Sequence, residues 1–292
     1  MLKSKLATAA AALALSFGAI GSAQAVAIFS GAYKISLDNW DSGTTGYAGA
    51  CSSVATCDTA AGIINAPGSV GSVNTSADTM GIFSVSLITK INPDGTETNV
   101  FTKGGAQGYL TGVFGNLQDW SVTPFGPVTV ANSTGGTWSL YQNSTDWNPS
   151  LGPDVVAGSK DLNADMYPGI TGGSLYLSGV FVSGVLAGDN TTTYSSTYNQ
   201  TISGVGSGYM NITGGSAEAQ YSTKGLKDQN GVMRDMYMTT SFDDADGKAK
   251  ELGWTVNSTA QIKGNAVPEP GTMALAGLAL LGAGLASRRR KS

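Results

Sequence analysis

Few residue types in this chain could do chemistry. Its 292 residues include no histidine, two cysteines and twenty Asp and Glu. Without an imidazole, neither a Ser-His-Asp nor a Cys-His nucleophile can be assembled, and the usual imidazole ligands of zinc are missing. There is no P-loop or dinucleotide fingerprint. Gly204-x-Gly206-x-Gly208 lacks the strand–turn–helix setting that such a loop requires. A glycosidase needs two carboxylates across a cleft, but no spacing marks a pair among Glu97, Glu218, Glu251, Glu269 and the aspartates. Those acids read as solvated surface. Asp243-Asp244-Ala245-Asp246-Gly247 resembles part of a calcium loop. With Gly247 as the sixth position, however, the first and twelfth would be Phe242 and Gly253, which offer no side-chain ligand, so the EF-hand pattern fails. The expectation is a protein that is not an enzyme, with no cofactor and no metal. A hydrolase built on an Asp pair stands behind it as an alternative.

Cys51 and Cys57 lie in a loop of small residues, G-A-C-S-S-V-A-T-C. C-x5-C is not a redox spacing, and no histidine completes a metal site, so in an oxidising compartment the pair reads as a local disulfide. Aromatic rings can stack on sugars, which makes Trp120, Trp138, Tyr141, Trp147 and Trp254 candidates. Core packing is the plainer reading for most of them. Trp147, in T-D-W-N-P, is the residue expected on a loop and the one named as a sugar contact.

Position, rather than reactivity, gives the clearest signal. Val267-Pro268-Glu269-Pro270 is followed by an uncharged apolar run, Gly271 to Ser287, and then by Arg288, Arg289, Arg290 and Lys291. The two prolines hold Val267 and Glu269 extended, the backbone form that a protease cleft grips. The run of about 17 residues is at the low end for crossing a bilayer as a helix. Snorkelling arginines make up the shortfall, and the basic block stays on the cytoplasmic side. Glu269 then sits outside at the helix N-terminus, where a negative charge suits the helix dipole.

This order of motif, apolar helix and basic end resembles the PEP-CTERM sorting signal of Gram-negative bacteria that secrete exopolysaccharide. The resemblance covers less than a tenth of the chain. It implies processing by an exosortase at or near Val267, Pro268, Glu269 and Pro270, with Arg288–Lys291 as the membrane stop. It also implies a role in exopolysaccharide, biofilm or floc. A plain membrane anchor with an incidental P-E-P is the bland alternative.

The other end agrees. Lys3 and Lys5 precede the Ala/Leu-rich stretch Leu6 to Phe17, and Ala23-Gln24-Ala25 supplies a small-x-small site for signal peptidase after Sec export. The expected divisions are a signal peptide at 1–25, an exported domain at 26–264 and the sorting signal at 265–292 (motif 267–270, transmembrane helix 271–287, basic tail 288–292). Six of the sixteen basic residues belong to the two ends, which leaves ten against twenty acids and a net charge near −10. Such a surface argues against nucleic acid or anionic lipid as a partner.

The middle must therefore be a scaffold, and its pattern is that of strands. Glycine accounts for 41 residues, and Gly81 to Ile91 alternates faces before the turn Asn92-Pro93-Asp94-Gly95 and a return strand at 96–103. Short strands recur between Gly-Gly breaks at 104–105, 135–136, 172–173 and 214–215, with one short helix near 245–251. No fixed-period repeat occurs. The fold class expected is all-β, an antiparallel β-sandwich or jelly roll, flanked by the signal peptide and a single C-terminal transmembrane helix. The function expected is that of a cell-surface or extracellular-matrix protein, transiently anchored in the inner membrane. A carbohydrate-binding module acting on exopolysaccharide is the main alternative.

Overall fold

Along residues 31–42, Tyr33, Ile35, Leu37 and Asn39 are buried while Lys34, Ser36 and Asp38 are more exposed. This period of two makes one face of the strand water-excluded. The same alternation runs through the rest of the scaffold. The computed structural model describes residues 29–42, 50–59, 79–145 and 170–267. The cleavage site at Ala23 and Ala25, Trp147, Pro268 to Pro270, the run 271–287 and the basic residues Arg288 to Lys291 lie outside the described residues.

Twelve strands are described: β1 (Gly31–Ser42), β2 (Thr79–Ile91), β3 (Glu97–Thr102), β4 (Tyr109–Phe125), β5 (Val128–Asn143), β6 (Ser174–Val182), β7 (Tyr194–Asn199), β8 (Gly204–Gly214), β9 (Leu226–Lys227), β10 (Met233–Arg234), β11 (Met236–Asp244) and β12 (Val256–Ala266). Three short helices accompany them: α1 (Val54–Thr59), α2 (Glu218–Tyr221) and α3 (Gly247–Glu251). The fold is all-β, as expected, but the sheet does not split into the two layers of a sandwich or jelly roll. It runs β1-β12-β11-β8-β6-β5-β4-β2, and β2 pairs back onto β1. Eight antiparallel strands thereby close into a barrel, which leaves no open edge along that circuit. Two short strands complete the wall. β7 pairs β5 and β8 where β6 has ended, and β3 continues the β2 ladder beyond β4.

Alternation specifies that one face is buried, but not whether the sheet doubles over or closes. Closure is made by β2, which pairs with β1 on one side and β4 on the other, and the wall includes the long β4–β5 hairpin, paired from Tyr109↔Asn143 to Phe125↔Val128. Gly135 and Gly136, expected as a break between strands, lie inside β5 at φ 74° and 100°, opposite Asn116 at φ 59°. These left-handed residues let both long strands bend without ending, in the manner of bulges.

The interior packs rings against bare backbone. A Cβ on Gly112 would sit 2.3 Å from the Phe83 ring and one on Gly179 2.5 Å from Trp138. Glycine at these positions is what lets large aromatic rings lie inside so narrow a barrel. At the end where β1 begins and β12 finishes, the rings of Phe29, Tyr33, Tyr176 and Tyr221 meet edge to face, Tyr33 and Tyr221 at 5.1 Å. At the opposite end, outside the wall, α3 covers Trp40, Ile82, Val113 and Trp254. Most inward strand positions are apolar. Among the described residues no helix is long and apolar enough to cross a membrane.

Candidate functional site

The inward positions of β1 begin apolar and finish polar. Past Leu37 they carry Asn39 and Asp41, and both border a cavity of about 150 Å³ inside the barrel. Asn39 Nδ2 donates to Asp41 Oδ1, and Ser258 Oγ donates to Asp41 Oδ2 at 3.3 Å. Burial pushes the Asp41 carboxyl up to about 7 against the opposing pull of those two bonds. Asp119, on β4, also borders the cavity, and its Oδ1 accepts a 2.6 Å bond from Ser133 Oγ. The Tyr194 hydroxyl lies 2.6 Å from Thr240 Oγ1. Burial raises the pKa of Tyr194 despite that bond, and the charges of Asp41 and Asp119 raise it further, so the phenol stays protonated. The remaining lining is mostly apolar, including Leu37, Phe83, Leu140, Met210 and Met238.

Nothing in the spacing of the acids marked this group, because it is assembled from β1, β4, β5, β7, β11 and β12. One signal was present: Asn39 and Asp41 continue the parity of Tyr33, Ile35 and Leu37, so polar residues occupy a buried face. β1 runs to Ser42 and so carries that parity through Asp41.

The second site is the junction between barrel and tail. β12 pairs with β1 up to Gly31↔Ala266. The Val267 N–H then donates to the Gln220 carbonyl at 2.8 Å, and buried Gln220 donates from Nε2 to the Phe29 carbonyl at 3.2 Å. Thr223 Oγ1 donates to the Asn265 carbonyl at 3.0 Å. The chain is therefore held firmly up to Ala266 and passes straight into Val267, which is 44% exposed. Residues 266–291 match the model of the PEP-CTERM protein-sorting motif. The chain carries a PEP-CTERM sorting signal. The PEP-CTERM tail supports an exported protein directed to an exosortase, and it begins at the last residue of the last barrel strand. No curated protein shows significant similarity to the chain.

The remaining expected residues fall in several places. Cys51 and Cys57 are disulfide-bonded. Cys51 exchanges backbone hydrogen bonds with Val122, both at 3.0 Å, and the disulfide packs with Val122, Ala131 and Tyr198. Of the aromatics, Trp138, Tyr141 and Trp254 are buried, and Trp120 donates from Nε1 to Thr192 Oγ1 at 3.2 Å. The acidic stretch before α3 is spread out. Asp244 pairs with Lys250 at 3.6 Å and Asp246 accepts from Asn257. No group of three or more acids or cysteines placed to hold a metal occurs among the described residues.

Proposed function

We propose that the chain is an exported cell-surface or extracellular-matrix protein, and that its barrel is a non-enzymatic structural or adhesive module of exopolysaccharide, biofilm or floc. Sec export and signal peptidase remove the leader. The run 271–287 then holds the protein in the inner membrane until an exosortase cuts within 267–270. The observation that carries this reading is the junction. β12 is complete at Ala266, and the PEP-CTERM tail starts there, so a cut in the P-E-P strip releases an intact barrel. The outward residues of β11 and β12, among them Thr239, Ser241, Thr259 and Gln261, suit a hydrated polymer. Pro268→Ala with Glu269→Ala leaves the protein in the membrane fraction, as does loss of the exosortase. Unchanged release in both would overturn the sorting role.

A second reading, carbohydrate binding, rests on Tyr209 and Tyr237. Their rings stand 4.7 Å apart on the outer wall, and Tyr237 is paired in register with Lys263. Retention on isolated exopolysaccharide that is lost in Tyr209→Ala with Tyr237→Ala would favour it. The hydrolase reading gains a carboxylate pair in Asp41 and Asp119. A cavity of about 150 Å³, however, is well under the roughly 300–1,000 Å³ of ordinary ligand clefts and does not admit two sugar rings.

A further inference from the structure

We infer that the barrel interior is a binding site for one small, uncharged apolar molecule, about the size of a single hydrocarbon ring. The cavity of about 150 Å³ is comparable with the apolar cavities that take up benzene. Part of the room is made by Ala260 on β12, a small inward residue paired with Leu37 on one side and Thr240 on the other. Three methionines, Met210, Met236 and Met238, form much of the wall. Their side chains are unbranched and polarisable, so they re-pack around a guest at little cost.

The polar groups on the same wall are turned to one another. Asp41 accepts from Asn39 and Ser258, Asp119 accepts from Ser133, and the Tyr194 hydroxyl is bonded to Thr240. The Asn39 carbonyl oxygen is sealed within the wall and offers a guest nothing. Water is held in a buried site by two to four polar partners, and here those partners are already taken. A charged guest gives up its hydration with nothing to replace it. A hydrocarbon guest instead gains van der Waals contact along the wall. Tyr198, Ile202 and Phe242 border the cavity where β7 turns into β8 and β11 ends, and all three are half-buried. The cavity nears the surface there, and the rings of Tyr198 and Phe242, 6.4 Å apart, frame the way in. This site does not depend on the sorting or matrix role proposed above.

The test uses the full chain, with isotope-labelled methionine methyls, in phosphatidylcholine nanodiscs titrated with ethylbenzene, phenethylamine or 3-phenylpropionate and read by NMR. Ethylbenzene should shift the methyl signals of Met210, Met236 and Met238, saturating at one molecule per chain. The methyl of Met233, which is 46% exposed, should not move, and this separates filling of the cavity from uptake by the lipid. Both charged probes should bind at least about tenfold more weakly, because their charge is left without a partner. Ala260→Leu, which fills the space, should abolish the three shifts. No saturable shift of the three methyls, an equal shift at Met233, or a charged probe that binds as tightly as ethylbenzene would overturn the inference. Those outcomes are read on the unaltered chain and hold even where the variant does not fold.

Discussion

Tyr194 and Thr240 share a 2.6 Å hydroxyl contact across the bare backbone of Gly206. The glycine makes that contact possible, since a Cβ there would lie 2.0 Å from the Tyr194 hydroxyl and 2.9 Å from Thr240 Oγ1. Gly206→Ala must push the phenol off its partner. Overpacking of this kind costs about 1–3 kcal/mol, a fall in melting temperature of roughly 2–4 °C per kcal/mol for a domain of this size. Thermal unfolding of the variant checks it. An unchanged melting temperature would show that the ring moves freely and that the barrel is looser there than its glycines imply.

The Asp41 carboxyl titrates at about 7 in the folded barrel because it is buried, against an ordinary value near 4 in the unfolded chain. Between those two values the folded state holds a proton that the unfolded state has released, so folding takes up protons. Stability therefore falls as pH rises from about 4 to about 7, by on the order of 1 kcal/mol per pH unit. Asp189 and Asp228 are shifted the other way: backbone and side-chain donors outweigh desolvation and hold both below the usual carboxylate value. Their contribution is lost toward lower pH, the opposite direction, so of these three groups only Asp41 loses stability as pH rises through the window. Denaturant midpoints across that window should decline for the natural chain and flatten in Asp41→Asn. An equal slope in both would assign the titration elsewhere.

The features legible in the sequence are those fixed by local chemistry. The hairpin over Asn92–Gly95 forms as its turn residues require: Asn92 N–H donates to the Thr96 carbonyl at 2.8 Å, and Gly95 takes φ 84°. The short helix near 247–251, the Cys51–Cys57 bond and the PEP-CTERM tail are local in the same sense. Closure of the sheet was not legible, because it depends on β2 finding β1 on one side and β4 on the other. The cavity group was hidden for the same reason. Asp41 and Asp119 are far apart in sequence, and only the parity of β1 points Asp41 inward.

The disulfide closes a loop with a sequence separation of 6, for which the chain-entropy estimate is about 2 kcal/mol. Part of the turn is organised without it. Ser53 N–H donates to Thr56 Oγ1 at 3.0 Å and Thr56 N–H returns a bond to Ser53 Oγ at 3.2 Å, a reciprocal N-terminal cap on α1. Cys51→Ser with Cys57→Ser should therefore fold with the same strands and lose about 2 kcal/mol. The loss should be concentrated where Cys51 pairs with Val122, so the Val122 amide should exchange faster while Val85, on β2 beside β1 and β4, does not. Uniform acceleration would mean that the disulfide braces the whole barrel.

Removal of the tail gives a final prediction about where the domain ends. The last ladder pair is Gly31↔Ala266, and beyond it the Val267 N–H is bonded to the Gln220 carbonyl. That bond contributes on the order of 1 kcal/mol. The aromatic plug of Phe29, Tyr33 and Tyr221 is made wholly of residues upstream of the cut. A chain ending at Val267 should then unfold at the same denaturant midpoint as the full chain in nanodiscs, and one ending at Ala266 slightly below it. A chain ending at Asn257, which strips β12 from both β1 and β11, should not fold at all. A large drop on cutting at Val267 would place part of the barrel's stability in the tail. Processing by an exosortase would then unfold the protein rather than release it.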